Sequence, residues 1–144
     1  EKVKLNFIGD ISRFNKKLIK QIEKSKQLTD EFEPRLNLII AASYGGKWDI
    51  INAAKKFYAD KKNIELNENS IEDYLETRNF PNPDLIIRSG GEQRLSNFYL
   101  WQSSYAELYF SEKLWPDFNK EDFDNAIMDF LGRKRKFGIE TGLV

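Results

Sequence analysis

Leu36-Asn37-Leu38-Ile39-Ile40-Ala41-Ala42 is a nearly continuous apolar run of strand length. Such a run suits a strand covered on both faces, as in parallel sheets whose crossovers are helices. That choice constrains the segments around it. Val3, Leu5 and Phe7 alternate with Lys4 and Asn6, the period-two pattern of a half-buried strand over 3–8. Phe14, Leu18 and Ile22 then recur every fourth residue, which predicts a helix over 12–29 with Ser12 as its N-cap. Gly45-Gly46 turns the chain into a helix from about Trp48 to Lys61, with Ile50, Ile51, Ala54, Phe57 and Tyr58 on one side. Ser70-Ile71-Glu72-Asp73 predicts the capped start of a short helix ending near Arg78. Pro81 and Pro83 break the chain before a strand over 84–88. A helix from Ser96 to about Ser103, a strand over 106–110, and a last helix capped by Asn119 complete the pattern. The last helix carries Phe123, Ile127, Phe130 and Leu131 as an apolar stripe. The order predicts an α/β fold: one mostly parallel sheet with helices on both faces and helical crossovers.

Composition narrows the chemistry. With 144 residues and 40% hydrophobic content, there is material for one core and too little length for two ordinary domains. No apolar stretch approaches the ~20 residues a membrane span needs. With no signal-peptide pattern at the start, a cytoplasmic location is expected. The absence of histidine and cysteine removes His-based triads, His-ligated zinc and thiolate sites. Carboxylates, hydroxyls, amides, cations and a hard metal remain. Net charge is zero, from 23 basic and 23 acidic residues, so nucleic acid is not an expected partner.

The densest chemistry lies in residues 88–107, directly after the apolar Leu85-Ile86-Ile87. Arg88 and Arg94 flank Gly90-Gly91, followed by Ser96 and Glu107. Arginine presents a rigid planar fork that matches phosphate oxygens in pairs. The glycines permit a sharp turn and close backbone approach, and ligands bind at the carboxyl ends of strands in open α/β sheets. Two guanidiniums, loop amides and a hydroxyl suit a phosphate or diphosphate, and a nearby carboxylate suits Mg²⁺. Alone, a Gly-Gly pair with arginines is more often a turn carrying solvated charges, and Glu107 alone is more often a surface or capping residue.

The segment does not stand alone. Ile86-Ile87-Arg88-Ser89-Gly90-Gly91-Glu92, Arg94-Leu95-Ser96-Asn97-Phe98, Trp101-Gln102, Tyr105-Ala106-Glu107-Leu108-Tyr109-Phe110 and Leu114-Trp115-Pro116-Asp117-Phe118 resemble the long motif of the cis-prenyltransferases. Gly9-Asp10, Ser12-Arg13-Phe14 and Tyr44-Gly45-Gly46-Lys47-Trp48-Asp49 resemble family blocks in the same order. The likeness is strongest to the bacterial branch that makes undecaprenyl diphosphate. It implies a Mg²⁺-dependent transferase that condenses isopentenyl diphosphate with an allylic diphosphate such as farnesyl diphosphate, making cis double bonds. Arg88, Arg94, Leu95 and Ser96 match family positions that bind the diphosphate of isopentenyl diphosphate, and Glu107 matches the family's Mg²⁺-linked glutamate. The resemblance further implies a homodimer and transient contact with the inner face of the membrane through the product.

The family's Asp-Gly-Asn-Gly-Arg phosphate loop and Asn-Trp segment have no counterpart here. The resemblance therefore reads residues 1–144 as the C-terminal part of one domain, carrying the isopentenyl diphosphate half-site and inactive by itself, with the catalytic aspartate expected in the N-terminal half that has no counterpart here. Gln93, Ser43 and Lys47 depart from the family pattern, as does Lys136-Phe137-Gly138 where an Arg-x-Gly element is common. The basic run Arg133-Lys134-Arg135-Lys136 reads as helix C-terminal charge, a membrane-surface patch or part of the site. The aromatics are read mostly as core, with Trp101, Tyr105, Tyr109 and Phe110 as candidates for a subunit interface. Gly45-Gly46 is equally a helix-start turn or a backbone approach to substrate. The alternative function is a non-catalytic diphosphate-binding subunit. A generic nucleotide-binding module has less support, since no GxGxxG or GxxxxGK[ST] loop is present.

Overall fold

The computed structural model describes residues 2–31, 33–60 and 64–134. Two compact units divide the chain, Glu1–Pro81 and Asn82–Val144. In the first, β1 (Val3–Ile8) pairs in parallel with β2 (Leu36–Ala41), in a register that sets Leu5 beside Leu38 and Phe7 beside Ile40. In the second, β3 (Leu85–Ser89) pairs in parallel with β4 (Glu107–Ser111), Leu85 beside Glu107 and Arg88 beside Phe110. The α/β class and the parallel pairing are as the sequence predicts. The single continuous sheet is not found among the described residues, where the strands form two separate pairs. Apolar patterning marks strands and faces but does not say which strands are neighbours.

The helices begin where an Asx side chain can take up the free amides of a first turn. A 3₁₀ turn at Ile11–Arg13 precedes α1 (Lys16–Thr29). Its N-cap is Asn15, which accepts from Leu18 N at 2.9 Å, and not Ser12, whose hydroxyl donates to Asp10. Gly45 is the N-cap and Gly46 the first residue of α2 (Gly46–Ala59), both buried, so the helix-start turn expected there is present. The start of α3 (Glu68–Glu72) is set by Asn67; Ser70 completes the capping box from the third helical position instead of capping the helix itself. Beyond α3, turns closed by Tyr74 N to Ile71 O and Arg78 N to Leu75 O replace the longer helix expected there. Asn119 caps α4 (Lys120–Gly132) as predicted, in a box with Asp122.

The core is concentrated in the first unit: Ile8, Ile22, Ala53, Phe57, Ile71 and Leu75 are buried. The Phe57 ring meets Tyr58 and Tyr74 edge-on at 5.5 Å. Asp49, 1% exposed, accepts from Tyr44 Oη at 2.8 Å and from Glu76 N at 2.9 Å, so its charge is met by donors. Gly9 closes β1 with φ +108°, and a Cβ built there would stand 2.2 Å from the Ala42 carbonyl oxygen. The two-face burial expected of the apolar strand is not found. Leu36, Leu38 and Ile40 are 58%, 46% and 38% exposed, because α1 packs on β1 and leaves this row of β2 uncovered. In the second unit Ala126 is the buried residue of α4, flanked by half-buried Ile127 and Phe130, whereas Phe123 and Leu131 of the expected stripe are exposed.

Candidate functional site

Arg88 sits one residue before the carboxyl end of β3. Strand alternation puts its side chain on the face shared with Ile86, Leu108 and Phe110. Gly90 and Gly91 then turn the chain with φ of +98° and +76°, a region that L side chains seldom occupy. A Cβ on Gly90 would meet nothing within 4 Å, so the space above the turn is open. The loop amides are committed elsewhere: Gly90 N donates to Lys113 O at 2.8 Å and Gly91 N to Ser111 O at 2.9 Å. Those two amides are therefore not available to a ligand; the backbone contribution expected from Leu95 is not affected by them.

The site's side chains converge. Arg88 Nη1 donates to Ser96 Oγ at 2.9 Å and to the Arg94 carbonyl oxygen. One guanidinium thus ties the returning loop to the strand. Arg94, mostly exposed, is ion-paired with Glu92. The predicted helix from Ser96 is absent because Ser96, Asn97 and Tyr99 have φ of 49°, 65° and 46°, the wrong hand for a helix. Phe98 N donates to Leu95 O at 3.0 Å across Ser96-Asn97, the hydrogen bond and φ signs of a primed β-turn. Asn tolerates this hand better than most residues, which is the signal the sequence did offer. The result is an open cleft of about 380 Å³ lined by Arg88, Ser89, Arg94, Ser96 and the apolar Ile86, Ile87, Leu95 and Phe98. One end is cationic and the wall is apolar. Sequence reasoning found Arg88, Arg94, Leu95 and Ser96 but missed Phe98 as a wall and Glu92 as the partner of Arg94.

Glu107 does not join them. It stands at the opposite end of the strand pair, beside Leu85, and on the opposite face from Arg88. The expected closeness to Arg88 and Arg94 is therefore absent within this chain, since parallel register and alternation send the two side chains to different faces. Glu107 instead accepts from Arg133 Nη1 at 2.8 Å through Oε2. Arg133 also donates through Nε and Nη2 to Asp129 Oδ2 at 2.9 and 2.6 Å. These bonds, to Glu107 first and Asp129 second, raise the Arg133 pKa above its ordinary value. Among the described residues no three acidic side chains gather to hold a metal. Of the basic run, Arg133 and Lys134 are described; Arg135, Lys136 and the Lys136-Phe137-Gly138 element lie outside the described residues. Trp115 is exposed, so the core reading fails for it; of the interface candidates Tyr105 is exposed and Trp101, Tyr109 and Phe110 are half-buried. No helix among the described residues is long and apolar enough to cross a membrane.

The long motif thus lies across a strand-end cleft that carries two arginines, between a parallel strand pair and its returning loop. The family model described as "Putative undecaprenyl diphosphate synthase" matches residues 1–138. The chain belongs to this prenyltransferase family. It is 49% identical over 139 residues to a ditrans,polycis-undecaprenyl-diphosphate synthase of Haemophilus influenzae, covering 93% of this chain and 58% of the relative. It is 45% identical over 141 residues to an isoprenyl transferase of Thermotoga maritima, covering 96% of this chain and 60% of the relative. The crystal structure of a probable undecaprenyl diphosphate synthase from Campylobacter jejuni superposes with a TM-score of 0.86 at 40% identity, over 96% of this chain and 64% of that one. Lavandulyl diphosphate synthase from Lavandula x intermedia, in complex with dimethylallyl diphosphate, superposes with a TM-score of 0.89 at 38% identity, over 95% and 61%. The chain thus spans about three fifths of the length of these relatives.

Proposed function

We propose that this chain provides the isopentenyl diphosphate site of a cis-prenyltransferase and is the C-terminal part of a single α/β domain. The observation that carries the reading is the convergence of Arg88, Arg94 and Ser96 on one open cleft with an apolar wall. A diphosphate needs paired donors, and guanidiniums supply them. A five-carbon tail needs an apolar wall, which Leu95 and Phe98 offer. On binding, Arg94 would exchange Glu92 for phosphate oxygens, while Arg88 keeps the Ser96 loop in register. In the proposed reaction the double bond of this bound substrate attacks the allylic carbon of a diphosphate such as farnesyl diphosphate; a carbon–carbon bond forms, the allylic diphosphate leaves, and a proton is lost from the isopentenyl unit to give the new cis double bond. The product is a cis-polyprenyl diphosphate.

Mg²⁺ commonly binds through one or two carboxylates plus waters and substrate phosphate, and Glu107 Oε1, the oxygen not taken by Arg133, fits that habit. The ion would neutralise part of the diphosphate charge. Because Glu107 and Arg88 occupy opposite faces of one strand pair, Glu107 would reach a substrate diphosphate only where a second copy holds it, as in the homodimer we propose from the family likeness. We place the protein in the cytoplasm, with the membrane touched only through the lipid product.

The test is incorporation of radiolabelled isopentenyl diphosphate onto farnesyl diphosphate with Mg²⁺. The chain of residues 1–144 alone should give no long-chain product, and the full-length protein should give one. Product from residues 1–144 alone would overturn the half-site reading. No product from the full-length protein, together with isopentenyl diphosphate binding that depends on Arg88, would favour the second reading of a diphosphate-binding subunit serving another chain.

A further inference from the structure

Glu107, Arg133 and Asp129 form a relay that the cleft does not use. Glu107 is the first residue of β4, Asp129 lies in the last turn of α4, and Arg133 is the C-cap of that helix. A helix C-terminus ordinarily directs a basic side chain toward its own unsatisfied carbonyls. Here the guanidinium is used differently. Its Nε and Nη2 edge is held by Asp129 Oδ2 at 2.9 and 2.6 Å, which fixes the plane of the fork. Nη1, in the same plane, donates to Glu107 Oε2 at 2.8 Å. This hydrogen bond restrains the Glu107 carboxylate, and Oε1 is the oxygen it leaves over. Two carboxylates with one guanidinium also leave one negative charge uncompensated.

We propose that Arg133, fixed by Asp129, is the positioning residue of Glu107, holding Oε2 so that Oε1 is presented to the divalent cation that accompanies the substrate diphosphate. The inference rests on the reading of Glu107 as a cation ligand given above. Carboxylates that bind metals are commonly aimed by such outer hydrogen bonds, whose loss weakens metal affinity by roughly 10- to 100-fold.

The test is direct titration of Mn²⁺ into the full-length protein with isopentenyl diphosphate, followed by electron paramagnetic resonance of the free ion, with thermal midpoints measured on the same samples. Arg133→Gln should weaken Mn²⁺ binding about tenfold, and Asp129→Asn should weaken it in the same direction by less. The double variant with Glu107→Gln should bind no more weakly than Glu107→Gln alone. A lowered thermal midpoint with unchanged Mn²⁺ affinity in Arg133→Gln would make the relay a simple helix clasp and overturn the proposal. Tighter binding would do so as well, since Arg133 would then be a competitor for the carboxylate. If Arg133→Gln does not fold, Asp129→Asn decides by the same criterion, because it leaves the guanidinium in place. Unchanged affinity in Glu107→Gln would instead remove the underlying reading of Glu107, a result distinct from the other two.

Discussion

The unit ending at Pro81 and the unit beginning at Asn82 are organised on different principles. The first buries Ile8, Ile22, Phe57, Ile71 and Leu75, and even its buried carboxylate, Asp49, is satisfied by a tyrosine hydroxyl and a backbone amide. The second has little comparable burial among its described residues and is ordered by charged and polar ties: Arg88 to the Ser96 loop, Arg133 between two carboxylates, Lys113 to Asp122. The difference is instructive because the candidate chemistry lies entirely in the second. Charged groups that must meet a ligand cannot be sealed in a core without losing much of their solvation. A site made of them is held instead by hydrogen bonds that fix direction while leaving one edge open to substrate. Mutations should accordingly act on stability in the first unit and on ligand handling in the second.

The largest effect is expected at Phe57. Replacement by alanine removes a buried ring and leaves a cavity, at a cost of about 3–5 kcal/mol of folding stability. A urea titration giving a loss below about 1 kcal/mol would break the comparison at its strongest point. Next is Arg94→Ala in the full-length protein. Loss of one charge-assisted contact should cost about 1.5–3 kcal/mol in the use of isopentenyl diphosphate, with the apparent constant for the allylic substrate and the thermal midpoint nearly unmoved. An equal rise for both substrates would contradict the assignment. Asn119→Ala should then remove the capping box of α4 for about 1 kcal/mol, and Asn67→Ala should do the same for α3. Similar losses from the two, read by chemical denaturation, would show that caps matter alike in both units and that only burial separates them.

The smallest effect concerns pH. A backbone hydrogen bond from Asn119, then the Lys113 ammonium, holds the Asp122 carboxyl below its ordinary value of 3.8. A depressed carboxyl contributes stability above its unfolded value, and that contribution is lost as pH falls through the folded value. The Asp122 carboxylate in turn raises Lys113 above its ordinary 10.5, so the lysine's share is present below that value and lost as pH rises through the raised one. Asp122→Asn should therefore flatten the acid limb of the stability profile below about pH 4 and leave neutral stability changed by less than a buried substitution would. A profile identical to the unsubstituted protein would show this exposed pair to be silent, as many are.

Much of this organisation is legible in the residues. Alternation locates β1, the apolar run after Pro81 and Pro83 locates β3, the expected strand over 106–110 matches β4 within a residue, and Asn119 marks the start of α4, because these signals are local. Arg88, Arg94, Leu95 and Ser96 are legible as one cleft because they lie close together in sequence and the family motif spans them. Three things are not legible. Asn15 and Asn67 displace Ser12 and Ser70 as caps, since several hydroxyl and amide side chains compete at each helix start and only geometry selects among them. The left-handed turn at Ser96-Asn97 hides behind residues that elsewhere permit a helix. The separation of Glu107 from Arg88 depends on strand register, and proximity along the chain carries no information about which face a side chain takes.

Gly9 shows how such a position can mislead in another way. In a family whose ligands are diphosphates, a glycine at the carboxyl end of a strand invites interpretation as a ligand loop. The crowding at Gly9 comes from the chain's own backbone, at the Ala42 carbonyl. Every replacement adds a Cβ there, so the position should be intolerant to all nineteen alternatives alike, small or large, charged or apolar. A saturation library would then show a flat, uniformly depleted column at Gly9. At Gly90, where the space above is open, the column should be graded by how readily each residue accepts a left-handed backbone, with asparagine and aspartate surviving best. The shape of the two columns would separate glycines kept by packing from glycines kept by conformation, without any ligand being added.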